Sequence, residues 1–183
     1  HVPLSVEAIQ EAKRIMMAEN NILLPASGKP VSVPSQDVVL GLFYLTKLIP
    51  NSERYAGAAD DAEKEALRPK FSSFDEVIVA LNYGRVKLHE EILVRQANGQ
   101  RVRTTPGRVV FAQILPPEIE FFNSDKNPTF ANQVQTKKSL TQIVAMAHKR
   151  VGKKRTAEML DQMKSLGFYY AKRAGISMCV DDL

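Results

Sequence analysis

Residues 20–46, NNILLPASGKPVSVPSQDVVLGLFYLT, are the stretch that most restricts how this chain can fold. The stretch contains three prolines, Pro25, Pro30 and Pro34. Each proline fixes its own φ and pushes the residue before it toward extended geometry, so residues 22–34 cannot be helical. We expect two short strands here, over residues 22–24 and 29–33, joined by a turn at residues 26–28.

An apolar helix is predicted directly after this loop, over residues 38–47, with Ser35 or Asp37 as its N-cap. Its apolar side chains surround almost the whole circumference, which predicts burial on most sides. The two features together predict a loop that is held firmly against a buried helix.

The composition is that of a water-soluble chain with a core. The 183 residues are 44% apolar and 25% charged, which is enough for one domain with a hydrophobic core. Neither a run of about 18 apolar residues nor a leader peptide is recognisable, so no membrane partner is expected. The single cysteine, Cys179, favours a reducing, cytoplasmic location. The net charge of +5 permits a polyanionic partner. Because the sequence begins without Met, we expect a piece of a longer protein.

The remaining elements before residue 118 are predicted from caps and turns. Ser5 caps an amphipathic surface helix over residues 6–19, and Ser73 caps another over 74–83, with Gly84 at its C-terminal end. Strands over 91–96 and 100–103 flank Asn98-Gly99, a strong hairpin signal. Thr105 and Pro106 then begin a short helix.

The last third of the chain is predicted to be mostly helical. Two apolar stripes indicate two helices joined at residues 152–155 and packed on each other, the second ending at Gly167. The sequence ISMCV, residues 176–180, is typical of a short buried strand. The fold class is therefore α+β, mainly helical, with short strands and a β-hairpin.

Four regions follow from these elements. Residues 1–50 hold the first helix, the loop and the buried helix, and residues 51–70 are a polar, solvated insertion. Residues 71–117 hold a helix, the hairpin and a short helix, and residues 118–183 hold the helical pair and the final strand.

The sequence gives no catalytic or metal-binding constellation. His1, His89 and His148 are scattered and lack the spacing of metal ligands, and Cys179 has no local histidine partner. No phosphate-binding glycine motif or nucleophile elbow occurs. We therefore predict no catalytic residue, no metal ligand and no cofactor in this chain.

A run of basic residues between positions 134 and 155 contains no acid. It has two possible interpretations: the solvated faces of two helices, or a patch that attracts phosphate, because dense like charges repel one another unless an anion lies among them. Charge alone does not decide between them. The basic residues are Lys137, Lys138, Lys149, Arg150, Lys153, Lys154 and Arg155.

Three long segments resemble one family: residues 1–46, then TTPGRVVFAQILP at 104–116, then KRTAEMLDQMKSLGFYYAKRAGISMCVDDL at 154–183. They are similar to the largest (β′) subunit of bacterial DNA-directed RNA polymerase, just downstream of its catalytic loop. The resemblance implies a fragment of a larger multidomain subunit of a nucleotidyltransferase that binds DNA and carries out transcription. It leaves mainly residues 51–70 unmatched.

The resemblance also implies a role, a cofactor and partners. The segment would form the wall of the secondary channel, or pore, through which nucleoside triphosphates enter and backtracked RNA leaves. The magnesium of the parent enzyme would be held by an acidic motif before His1, outside this chain, so the segment alone would be inactive. The implied partners are the rest of β′ and the β, α and ω subunits, with nucleoside triphosphates, RNA and DNA in the parent complex.

Particular positions match motifs of that family. Channel-lining or scaffold roles are implied for Asn20, Asn21, Pro25, Gln36, Asp37 and Arg108. Lys154 and Asp161 fall in the region where some relatives contact ω and bind the alarmone guanosine tetraphosphate, although Glu158 and Ser165 depart from that pattern. The alternative to a polymerase segment is a free-standing basic module that binds nucleic acid.

Overall fold

The computed structural model describes residues 2–49, 66–95, 99–119 and 131–177. Five α-helices and three strands are named here within those ranges. The helices are α1 (Val6–Glu11), α2 (Gln36–Thr46), α3 (Phe74–Asn82), α4 (Pro106–Ala112) and α5 (Lys137–Ala174), and the strands are β1 (Lys70–Phe71), β2 (Ile92–Arg95) and β3 (Arg101–Thr104). This arrangement is the predicted α+β class.

The first helix is shorter than the predicted range of residues 6–19. Ser5 caps it as expected, since its hydroxyl accepts a hydrogen bond from the Ala8 amide at 3.2 Å. Regular α-helical geometry ends at Glu11 and gives way to a wide π-turn over Ala12–Met16 and a 3₁₀ turn over Ala18–Asn20. None of the residues in these three elements is buried, so the predicted apolar stripe faces solvent.

The loop of residues 22–34 does not contain the two predicted strands. A single bridge between Leu23 and Pro30 is all the pairing that it forms. The amide of Leu24 donates to the carbonyl of Lys29, and the amide of Val31 donates to that of Ile22, each at 2.8 Å. Prolines have no amide hydrogen, so a longer ladder cannot propagate through this segment.

Helix α2 buries one face rather than most of its circumference. Ser35 is at the N-cap position, but its side chain makes no capping bond. Leu40 and Phe43 on the outer face are 38% and 39% exposed, which contradicts the predicted all-round burial. The apolar composition of α2 predicted more burial than the structure shows, because α4 and α5 cover only one side of this helix. The buried residues are Val38, Gly41, Leu42, Leu45 and Thr46.

Helices α2 and α5 cross at a pair of glycines. A Cβ built on Gly41 would lie 1.8 Å from the carbonyl oxygen of Gly167, and one built on Gly167 would lie 2.7 Å from Cγ1 of Val38. The prediction that Gly167 ends the helix is therefore wrong. Gly167 permits close contact in mid-helix, and α5 ends at Gly175 in the left-handed conformation.

Helix α5 is interrupted at Gly152, where φ is 76° and ψ is 177°. The two predicted helices therefore exist as two halves that meet at this residue, within the predicted junction. Beyond α5, Ile176 is 51% exposed and does not begin a buried strand. Residues 178–180 of the predicted strand lie outside the described residues.

A three-stranded sheet occupies the middle of the chain, in the order β1-β2-β3. β2 and β3 pair antiparallel as the predicted hairpin, with Ile92 opposite Thr104, although Asn98 of its turn lies outside the described residues. β1 pairs parallel with β2 and joins the end of the predicted insertion to the sheet. The predicted caps Ser73 and Thr105 both accept from the amide three residues on.

Two apolar clusters support these elements. The larger one joins α2, α4 and both halves of α5, and includes Leu42, Phe111, Ile143 and Met163. The smaller one joins α3 to the sheet and includes Val77, Ile92 and Val109. In the part of the chain that the structure describes, no helix is both long enough and apolar enough to cross a bilayer.

Candidate functional site

Asn20 and Asn21 both close the N-terminal turns. The Asn21 side-chain amide donates to the carbonyls of Ile15, at 2.5 Å, and Met17, at 3.0 Å. The Asn20 side chain donates to the carbonyl of Lys13 at 3.2 Å, and its oxygen accepts from the ammonium of Lys153 at 2.7 Å. These contacts satisfy carbonyls that the irregular helix end leaves open. Asn21 therefore binds this chain's own backbone, and Asn20 binds both the backbone and the Lys153 side chain.

Pro25, Gln36 and Asp37 are exposed on the loop and at the start of α2. Gln36 has a φ of 48°, the one non-glycine residue with positive φ among those described. A glutamine in this region is strained, so the surrounding structure must hold the turn into α2 in place.

A cavity of about 350 Å³ lies between the loop and the second half of α5. It brings Gln36 and Asp37 together with Asp161, although these predicted residues come from opposite ends of the chain. The Lys164 ammonium lies 2.8 Å from the Asp161 carboxylate at its wall. The lining therefore combines carboxylates, one ammonium and apolar surface. The lining residues are Ser32, Val33, Pro34, Ser35, Gln36, Asp37, Val38, Leu160, Asp161, Lys164 and Phe168.

Arg108 lies away from this cavity and ties three segments together. Its Nε donates to the carbonyl of Thr46 at 3.0 Å, and its Nη1 donates to that of Asn132 at 3.4 Å. Burial lowers the pKa of Arg108, while the nearby Glu91 carboxylate raises it. A half-buried guanidinium bound to two main-chain carbonyls is a scaffold group.

A buried polar network around Arg108 was not foreseen from the sequence. The Thr46 hydroxyl donates to the Leu42 carbonyl at 2.7 Å and accepts from the Gln135 amide at 2.8 Å. The Thr104 hydroxyl donates to the side-chain oxygen of Asn132 at 2.7 Å. Short polar residues at the ends of apolar elements were the only sequence signal, and that signal is common to many helix caps.

His89 closes the same end of α2 from the other side. Its Nε2 lies 2.7 Å from the Tyr44 carbonyl oxygen, and its ring meets the Tyr44 ring edge-on at 4.6 Å between centroids. Burial lowers the pKa of His89, the bond to Tyr44 raises it, and the charge of Lys47 lowers it further. The three causes together leave this pKa below its ordinary value.

The basic run does not form one patch. Lys137 and Lys138 begin α5, while Lys149 is near the Gly152 bend, about 18 Å along the helix at 1.5 Å per residue. Near the bend, Arg150 donates to the Glu118 carbonyl at 2.6 Å and Arg155 pairs with the Glu118 carboxylate. The fold therefore supplies an acid that the run itself lacks.

A comparison with known families settles where the chain belongs. Residues 21–183 match the family model described as RNA polymerase Rpb1, domain 3. The chain belongs to this family. Over its whole length, this chain is similar to DNA-directed RNA polymerase subunit β′ of Desulforamulus reducens, with 41% identity. It is 40% identical to that of Syntrophobacter fumaroxidans and 38% identical to that of Methylacidiphilum infernorum.

These relatives are much longer. The Rpb1 domain 3 chain spans 12 to 14% of the three β′ subunits named above, so it corresponds to a small section of each.

The described part of this Rpb1 domain 3 chain offers no group of three or more histidine, cysteine, aspartate or glutamate side chains that could hold a metal ion. Asp37 and Asp161 share the cavity, but the polar group bound to Asp161 there is the Lys164 ammonium. These residues do not fit the magnesium site of a polymerase, which requires clustered carboxylates.

Proposed function

We propose that this chain is a section of the β′ subunit of a bacterial DNA-directed RNA polymerase, and that it forms part of the wall of the secondary channel. Through that channel nucleoside triphosphates would enter and backtracked RNA would leave. The observation that carries the proposal is the anchoring of the loop of residues 22–34 at both ends. Asn20 and Asn21 fix its start, and the close crossing of Gly41 with Gly167 fixes the helix that follows it.

A channel wall needs such anchoring because its surface must stay in register with a reaction centre. Displacements of about 1 Å near a reacting group can slow a reaction about a hundredfold. The loop surface is held by main-chain hydrogen bonds on one side and by a packed helix on the other. The net charge of +5 would also favour the approach of polyphosphates.

The proposal also includes the partners of the chain and the place of the catalytic magnesium in the parent polymerase. The rest of β′ and the β, α and ω subunits would be its partners in the cytoplasm, and clustered carboxylates elsewhere in β′ would hold the catalytic magnesium. Gln36, Asp37 and Asp161 would face the channel at the cavity. Asn20, Asn21 and Arg108 would be scaffold residues, since their side chains bind main-chain carbonyls.

Two charge changes of opposite sign at the cavity test this role in the reconstituted parent polymerase. Asp37→Asn removes a negative charge from the proposed path of an anionic substrate, so it should lower KM for nucleoside triphosphates. Lys164→Gln removes the positive charge that pairs with Asp161, so it should raise KM. Each change should be about twofold at low salt and should shrink as salt is added.

Matched controls keep this test specific. Glu11→Gln and Lys172→Gln make the same charge changes at exposed positions outside the cavity. Elongation rate against nucleotide concentration gives KM and kcat separately. If the cavity variants behave like their controls at every salt concentration, these residues do not line the path of the substrate.

The basic run is tested in the same enzyme by two separate double substitutions. Lys153→Gln with Lys154→Gln should weaken retention of ω or the response to guanosine tetraphosphate, and more strongly at low salt, where charges act further. Lys137→Gln with Lys138→Gln, at the start of the other half of α5, is the comparison. Wild-type retention and response in both variants would mean that the run only keeps the helix soluble.

A further inference from the structure

The two halves of α5 pack on the larger apolar cluster, but the outer side of the bend between them at Gly152 is open. A Cβ built on Gly152 would meet nothing within 4 Å, so no side chain presses on the bend at that point. The φ of 76° and ψ of 177° at Gly152 lie in an extended, positive-φ region that glycine adopts without strain. The Thr156 hydroxyl donates to the Gly152 carbonyl at 2.7 Å and so gives this carbonyl at the bend a hydrogen-bond partner.

Glu118 contacts both sides of this bend. Arg150, two residues before Gly152, donates to its main-chain carbonyl at 2.6 Å, and Arg155, three residues after, pairs with its carboxylate. The pairing with Arg155 is the main cause that lowers the pKa of Glu118. One residue from outside the helix therefore holds one arginine from each half.

A third contact depends on the same bend. Lys153, the residue next to Gly152, reaches the Asn20 side-chain oxygen at 2.7 Å. Asn20 is the last residue of the 3₁₀ turn that leads into the loop of residues 22–34. A change in the bend would move Lys153 relative to that turn.

We propose that Glu118 is a latch across the Gly152 bend: by holding Arg150 and Arg155 it fixes the angle between the two halves of α5 and keeps Lys153 on Asn20. Arg150 binds the main-chain carbonyl of Glu118, whereas the pair between Arg155 and the Glu118 carboxylate is electrostatic and lies at the surface, with side chains 45% and 42% exposed. Its strength must therefore fall as salt is added. This inference concerns the fold of the chain and does not depend on the role proposed for the cavity.

The bend is measured directly with two spin labels on the 183-residue chain. Ala145→Cys and Gln162→Cys place labels on exposed positions of the two halves, in a Cys179→Ser background. The latched chain should give one narrow distance distribution at about 0.1 M salt, where the screening length is about 10 Å. Glu118→Gln should broaden it, and about 1 M salt should broaden the wild type in the same way.

Hydrogen exchange gives an independent readout. Glu118→Gln should speed amide exchange at residues 150–157 and at residues 19–22 by about two- to fivefold, the range expected for loss of an exposed ion pair. Exchange in strand β2 should not change. Glu11→Gln removes the same charge from an exposed position on α1 and should leave both segments as in the wild type.

A charge swap separates the latch from a general loss of stability. Glu118→Arg alone places a cation against Arg155 and should broaden the distance distribution further, whereas Glu118→Arg combined with Arg155→Glu should narrow it again. Unchanged distributions and exchange rates in Glu118→Gln would overturn the proposal. Faster exchange in β2 as well would also overturn it, because the effect would then be global.

Discussion

Replacing glycine with alanine usually stabilises a helix, but the crossing of α2 and α5 predicts that this substitution destabilises the chain at Gly41. At an exposed helical site, alanine is favoured over glycine by roughly 0.5–1 kcal/mol, because glycine loses more backbone freedom on folding. At Gly41 a Cβ would lie 1.8 Å from the Gly167 carbonyl oxygen and 2.7 Å from the Ala171 amide nitrogen. Both are main-chain atoms, so no side chain can rotate away. Gly41→Ala must push the two helices apart.

The size of the effect follows from that separation. Relieving the contact requires the helices to move apart by roughly 1.5 Å, and a gap of about 1 Å already removes up to half of the dispersion energy of the atoms along it. Overpacking of this kind costs about 1–3 kcal/mol, from which the helix preference of alanine is subtracted. We expect Gly41→Ala to lower the unfolding free energy by a net amount of about 0.5–2 kcal/mol.

Gly167→Ala should cost less than Gly41→Ala, because a Cβ there would lie 2.7–2.9 Å from Cγ1, the carbonyl oxygen and Cα of Val38, which is less close than the 1.8 Å contact at Gly41. The double variant should lose less than the sum of the two, since one separation of the helices relieves both contacts.

Urea unfolding of the 183-residue chain measures these differences, with circular dichroism and tyrosine fluorescence as two probes of one transition. Ala145→Gly is the matched control, since Ala145 is an exposed helical residue. It should destabilise the chain by about 0.5–1 kcal/mol. Glycine would then be less favourable than alanine at an exposed helical site, and more favourable than alanine at the crossing. A Gly41→Ala chain as stable as the wild type would show that the helices do not cross this closely.

Further substitutions test the other features of the fold and the role of the chain. Leu42→Ala, at a fully buried site, should lower the unfolding free energy by about 2–5 kcal/mol, whereas Phe43→Ala on the exposed face should cost distinctly less in the same urea titration. Because burial lowers the pKa of His89, the unfolded chain takes up a proton there more readily, so the unfolding free energy should fall as the pH drops below about 6.5. That fall should be smaller in His89→Gln, and an identical pH profile would mean that His89 does not contribute. The isolated chain should form no RNA from template, magnesium and nucleoside triphosphates, because its described residues offer no carboxylate cluster for two metal ions; template-dependent synthesis would refute this.

Local rules recovered the elements whose signals are short and chemical. Ser73, Thr105 with Pro106, and the strands on either side of Asn98-Gly99 were predicted close to where they lie, because caps and tight turns act over three or four residues. The same rules failed where partners are distant. Gly167 has the sequence signature of a helix end, and only the position of α2 shows that it is a contact point.

The candidate site shows the same division. The resemblance brought attention to Gln36, Asp37 and Asp161, but that they share a cavity depends on how α5 crosses α2. The acid that pairs with the basic run, Glu118, is 37 residues from Arg155, beyond the reach of any charge pattern along a helix. Contacts of this range depend on the assembled fold, which pattern reasoning from one chain does not provide.

The same crossing has a consequence while the chain is being made. The partner of Gly41 on α5 is about 125 positions further along, so at roughly 5–20 residues per second the ribosome needs about 6–25 seconds to supply it. Throughout that interval the apolar inner face of α2, with Val38, Leu42 and Leu45, lacks the cover that α5 provides, and only α4 is made in the meantime. Exposed apolar helices are what chaperones bind and what aggregates, so this stretch is where a nascent chain would need protection. Pausing translation before α5 is completed should therefore increase losses to aggregation more than a pause placed after it.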